Sequence, residues 1–173
     1  MKPPGSHEIF RLLSAAEVAG LVEAACEDDE LPEKIAGGVL TYQQIPLRRF
    51  ARLPEETRRS YVRRTLRDRR AADLSLYVLS AALTRRHGDL IAAFLDAVGL
   101  PHDGPTLATE GAIAEPPAAV LARGVDAVLA AWPGRDVSLY LHAFAAQPDV
   151  SWPLLESALA ADPRLALTDR SAE

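Results

Sequence analysis

Apolar residues recur along this chain at helical spacing, in alanine- and leucine-rich segments interrupted by proline, glycine and aspartate. Val18, Leu21, Val22 and Ala25 share one face of an early segment. Ahead of it, Ser14-Ala15-Ala16-Glu17 has capping-box spacing, in which serine and glutamate satisfy each other's orphan amides. Pro32-Glu33 opens a short helix toward Gln44, weakened at Gly37-Gly38, with a short strand over Val39 to Ile45 as the alternative. Beyond the break at Ile45-Pro46, the pattern of Leu47, Phe50, Ala51 and Leu53 suits one or two amphipathic turns. Pro54-Glu55-Glu56 then starts an arginine-rich helix expected to run to about Ala72.

The segment Leu74 to Arg86 is apolar almost all round, which predicts a helix buried on several sides, with Asp73 as its cap. His87-Gly88 is expected to end it, with the glycine left-handed, and Asp89 to cap a third helix bearing Ile91, Phe94, Leu95 and Val98. Leu100 to Glu115 has no clean periodicity and is long for a loop, so it either packs down or has a job. Pro116-Pro117 starts a helix with Val120, Leu121, Val125, Val128 and Leu129 on its apolar face. Asp136 is placed to cap Val137 to Ala146, and Ser151 to cap a last helix bearing Leu154, Leu155 and Leu159. Asp162-Pro163 closes that helix, and Thr168 to Glu173 is a polar end that should fray.

Shifted by 63 residues, two segments of the chain align without a gap: Val62, Leu66, Asp73, Ser75, Leu76 and Tyr77 fall on Val125, Leu129, Asp136, Ser138, Leu139 and Tyr140. The order of predicted elements around the match repeats as well. This predicts an all-α, compact stack of eight to nine helices containing a duplicated three-helix unit, related in principle to HEAT or armadillo architecture but short. The expected layout is one helical domain over 1–173, with a cap region at 1–53, repeat units at 54–99 and 116–163, a loop at 100–115 and a tail at 164–173.

Composition adds little to that picture, and charge changes it. The 49% hydrophobic and 25% charged shares are those of ordinary globular chains. The lone Cys26 allows neither an internal disulfide nor a cysteine-based zinc site. The first eight residues lack the apolar core of a signal peptide, and the longest apolar stretches are about half a bilayer span. A cytoplasmic location with no membrane contact is the resulting expectation. Net charge is −5, yet Arg48 to Arg70 holds ten arginines against Glu55, Glu56 and Asp68, a local +7 that leaves −12 on the remainder.

The basic segment supplies the one candidate surface. Arg58, Arg59, Arg63, Arg64, Arg67, Arg69 and Arg70 surround a narrow stripe of Tyr61, Val62 and Leu66. Guanidinium groups at helical spacing grip carboxylates or phosphates through two parallel hydrogen bonds. The competing readings are a solvated face, partly neutralised by Glu55 with Arg59 and Arg64 with Asp68, or arginines docked on the acids Glu27 to Glu30.

His7, His87, His102 and His142 form no ligand pair at metal spacing, although His87 with Asp89 or His102 with Asp103 offers two donors. His142 reads as a core histidine with one hydrogen bond, and Tyr77 and Tyr140 as core aromatics whose hydroxyls reach backbone. No phosphate-binding glycine motif or nucleophile elbow is present, so no cofactor, metal or catalytic residue is expected. The expected function is therefore a non-catalytic protein-interaction or adaptor module. Its acidic protein partner would bind Arg58, Arg59, Arg63, Arg64, Arg67 and Arg70. The alternatives are nucleic-acid binding through the same face, or a small ligand-binding or enzymatic domain with 100–115 as a lid.

Overall fold

The computed structural model describes residues 4–108 and 111–172. It is all-α, with nine α-helices among the described residues and one minimal hairpin. These are α1 (Ser6–Leu12), α2 (Ala15–Ala25), α3 (Leu31–Tyr42), α4 (Leu47–Phe50), α5 (Glu55–Leu66), α6 (Ala72–Val98), α7 (Ala118–Ala131), α8 (Gly134–Ala145) and α9 (Pro153–Ala161). Short 3-10 turns at Arg69–Ala71 and Pro163–Leu165 follow α5 and α9, and β1 (His102–Asp103) pairs antiparallel with β2 (Thr106–Leu107). No helix among the described residues is long and apolar enough to cross a membrane.

The chain divides into two compact units with their boundary inside α6, between Ala82 and Leu83. One runs from Gly5 to Ala82 and takes in the C-terminal residues from Thr168; the other contains Leu83–Leu167.

In the first unit α5 packs against α1, α2 and α3, burying Leu66 with Ile9, Phe10, Val18, Leu21, Ile35 and Val39. The capping box at α2 forms as its spacing requires: Glu17 N–H donates to Ser14 Oγ at 3.2 Å, and Ser14 N–H to Glu17 Oε2 at 2.8 Å. The Val39 to Ile45 ambiguity resolves to helix as far as Tyr42, and the chain then turns through Gln44, held at φ 53°. Gly38 lies where a Cβ would stand 2.4 Å from Leu74 Cδ2, so a side chain there would have to displace the Leu74 side chain. The arginine-rich helix stops at Leu66, short of Ala72. Asp68 accepts from the Arg70 amide at 2.9 Å and begins a separate 3-10 turn.

In the second unit α8 packs with α7, α9 and the 3-10 turn after α9. Every residue from Val137 to Phe144 is buried, as the apolar pattern predicts for that helix. Phe94, Tyr140, Phe144 and Trp152 form an aromatic cluster with neighbouring centroids 5.0–6.0 Å apart, edge-on except for the tilted Tyr140–Phe144 pair. Among its described residues the 100–115 segment is mostly exposed and is tied down near its C-terminal end, where Ile113 is buried. Trp152 Nε1 donates to Ile113 O at 2.8 Å, Ile113 N–H to Asp149 O at 3.0 Å, and buried Ile113 bridges to Val150.

Several local expectations need correction. Asp73 and Asp136 lie inside the first turns of α6 and α8, not at their N-caps, where they still complement the helix dipole. Gly88 is not left-handed; the break in α6 falls on His87 (φ −131°, ψ 31°), and Gly99 (φ 73°) ends the helix. Ser151 does not cap α9. Its first amides go to Glu115, whose Oε1 accepts from Leu154 N–H at 2.7 Å and Leu155 N–H at 3.1 Å.

The structure does not show the duplicated unit. Tyr77 is 41% exposed under Lys34, whose Nζ stands 4.7 Å from the ring centroid, while Tyr140 is 4% exposed in the aromatic cluster. Ser75 donates back to Leu66 O and Ala71 O in the preceding segment, and Ser138 forward to Leu165 O. The first expected repeat, 54–99, also straddles the boundary between the two units. The recurring device is a different one. Asp68 and Asp162 each accept from the amide and guanidinium of the arginine two residues on, Arg70 and Arg164, and each opens a 3-10 turn.

Candidate functional site

The basic segment is built from two short elements separated by proline-directed turns. Pro46 starts α4, a single helical turn with no buried residue, and Pro54 starts α5, whose first-turn Glu55 and Glu56 face the positive end of the helix dipole. α5 is anchored through Thr65 and Leu66; Tyr61 and Val62 are only half-buried.

Its arginines fall into two groups. Arg67 is structural: its Nε donates to Phe10 O at 3.0 Å and Nη2 to Leu13 O at 2.8 Å, satisfying carbonyls at the end of α1. Arg11 returns the contact, Nε to Arg67 O at 3.0 Å. Burial, and then Arg63 beside it, push the Arg67 pKa down, with Asp169 opposing. Arg70 is also engaged, forking onto Asp68 and donating to Tyr42 O at 3.2 Å. Hydrogen bonds from Arg70 hold the Asp68 carboxyl at a pKa of about 2. Arg59 pairs with Glu55 as its spacing predicts. The expected Arg64–Asp68 pair does not form, because Asp68 is taken by Arg70; Arg64 lies instead over the Tyr61 ring, 5.6 Å from its centroid. Nor do the arginines dock on Glu27 to Glu30. Among the described residues the ion pair from that cluster is Glu30 with Lys34, at 2.8 Å.

The second group carries no carboxylate. Among the described residues no acid pairs with Arg58, Arg63, Arg64 or Arg69, nor with Arg48, Arg49 and Arg52 on and just after α4. All seven are exposed except half-buried Arg63. Arg48, Arg49 and Arg52 also line an open concavity with Pro46 and Leu53. These three lie outside the set that the helical spacing of α5 selects, although their own i, i+1, i+4 spacing after a proline is visible in the sequence.

Of the remaining candidates, His102 and His142 are hydrogen-bonded within the fold. His102 Nδ1 faces Gly104 O at 2.7 Å and Nε2 faces Asp96 at 3.0 Å, clasping the hairpin to the end of α6. Those two acceptors, Asp96 foremost, raise its pKa. His142 is buried, bonded through Nε2 to Leu165 O at 3.1 Å, with Nδ1 lacking a partner. Tyr140 is buried with its hydroxyl unpartnered rather than reaching backbone, and desolvation raises its pKa. Burial likewise raises the Cys26 thiol. Among the described residues no three His, Cys, Asp or Glu side chains are grouped to hold a metal ion.

Compared with known proteins, the chain matches no family model, no curated protein and no solved structure.

Proposed function

We propose that this chain is a non-catalytic interaction module, cytoplasmic in setting, that binds an acidic protein partner through the arginines of α4 and α5. The observation that carries the reading is the set of exposed guanidinium groups with no carboxylate of their own. A charge paired within the fold has its field largely cancelled, whereas an unpaired one acts on an approaching molecule over roughly a Debye length, about 8 Å at physiological salt. Such a face steers a partner of opposite sign, setting on-rate and specificity more than final affinity. The binding set implied is Arg58, Arg63 and Arg64 on α5, with Arg59 in support, together with Arg48, Arg49 and Arg52 on and just after α4; Arg67 and Arg70 are tied to the α1 carbonyls and to Asp68.

The test is Arg58→Glu, Arg63→Glu and Arg64→Glu combined, used as bait in a pull-down from native lysate beside the unmodified protein. The variant should lose the captured partner while its circular dichroism spectrum and melting temperature stay close to wild type, since none of the three is a core residue. Capture by wild type should weaken steeply as salt rises. A variant that captures the same partner as well as wild type removes this face from the function.

A further inference from the structure

The concavity at α4 differs from the α5 face in shape and in chemistry. Five residues line it, and three are arginines at positions i, i+1 and i+4: Arg48, Arg49 and Arg52. The other two, Pro46 and Leu53, are apolar, and Leu47 beside them is 63% exposed, a large uncovered aliphatic surface. The space, about 400 Å³, is large enough for an anionic group together with part of a neighbouring side chain. Three arginines line one concavity, and among the described residues no carboxylate pairs with any of them.

We infer that the α4 concavity is a subsite for a dianionic phosphomonoester on a peptide segment of the partner. A carboxylate carries one negative charge and is filled by a single guanidinium fork. A phosphomonoester carries about −1.5 to −2 charges at neutral pH and three acceptor oxygens, enough to engage all three arginines at once. None of the five lining residues is aromatic, so a nucleobase finds no stacking surface there, which favours a peptide over a nucleic acid. Leu47 and Leu53 then meet an apolar residue flanking the phosphorylated one. The inference rests on the acidic-partner reading and adds to it the identity of the anion.

The test measures fluorescence anisotropy of a short labelled peptide carrying one phosphoserine flanked by leucines, alongside versions with serine or glutamate in its place. The phosphopeptide should bind at least roughly tenfold more tightly than either. Arg48→Gln, Arg49→Gln and Arg52→Gln combined should remove that preference, and Arg52→Gln alone should reduce it. Arg123→Gln, at an exposed arginine outside the basic segment, should retain it. All three α4 arginines are exposed and their removal leaves the core intact, which an unchanged thermal melt verifies. If the glutamate peptide binds as well as the phosphopeptide, or the glutamine variant keeps full affinity, the phosphate inference fails and the acidic-partner reading stands. Displacement by inorganic phosphate, or by a short DNA strand, at concentrations equal to the peptide's overturns the peptide assignment. No binding by any peptide overturns the subsite, while the lysate capture experiment separately decides the partner reading.

Discussion

His142 shows how one buried side chain makes stability depend on pH. Ser138 and His142, one turn apart on α8, both donate to the Leu165 carbonyl, at 2.6 and 3.1 Å. A carbonyl only accepts, so Nε2 carries the proton and Nδ1 is the bare nitrogen, buried without a partner. Protonation there places a new N–H where no acceptor waits, and burial accordingly lowers the pKa, with the Leu165 bond opposing. The unfolded chain therefore takes up the proton more readily than the folded one. The stabilisation is fully present above the unfolded value of about 6.5 and is lost as pH falls through the lower folded value. Melting temperature should be lower at about pH 5 than at about pH 7.5, and His142→Gln should flatten that difference. An equal decline in wild type and variant would assign the acid sensitivity to other groups. The sequence marks His142 as interior, because its neighbours are apolar. The unpartnered nitrogen is not legible there, since it depends on a carbonyl 23 residues away.

At the scale of elements, helix ends and helix contacts are decided by partners distant in sequence. Ser151 has the right residue type and spacing for a cap, yet α9 takes Glu115, 39 residues before Leu154, because the end of the 100–115 segment, anchored at Ile113, delivers a carboxylate to its first amides. Glu115→Ala should destabilise the protein by about 1 kcal/mol in urea denaturation. Ser151→Ala should change it by less than about 0.5 kcal/mol. The reverse ranking would restore the serine as the cap. The adjacent glycines of α3 provide a second contrast. A Cβ at exposed Gly37 meets nothing within 4 Å, so Gly37→Ala should gain up to about 1 kcal/mol from helix propensity. At Gly38 the Leu74 methyl stands in the way, so Gly38→Ala should forfeit that gain and Gly38→Val should lose about 1–3 kcal/mol. Equal thermal shifts from the two alanine variants would refute the close approach. The weakening at Gly37-Gly38 is visible in the sequence; the difference between the two positions is not. Gly124 on α7 repeats the device, since a Cβ there would stand 2.7 Å from Val98 Cγ1.

For the whole molecule, local sequence determined the helical class, nearly all the helices, the capping box at Ser14 and the concentration of positive charge between Arg48 and Arg70. These follow from side-chain periodicity and short-range backbone chemistry, which operate over a few residues. Tertiary structure decided the rest. It gave Tyr77 and Tyr140 different surroundings despite matching sequence, and placed the boundary between the two compact units inside α6. It also sorted the arginines, drawing Arg67 onto the carbonyls of α1 and Arg70 onto Asp68 and leaving the α4 trio around an open concavity. Identical charges became either fasteners within the fold or groups without an ion pair according to which acceptors lay within about 3 Å of them. That proximity is set by how helices far apart in the chain pack, and no local pattern encodes it.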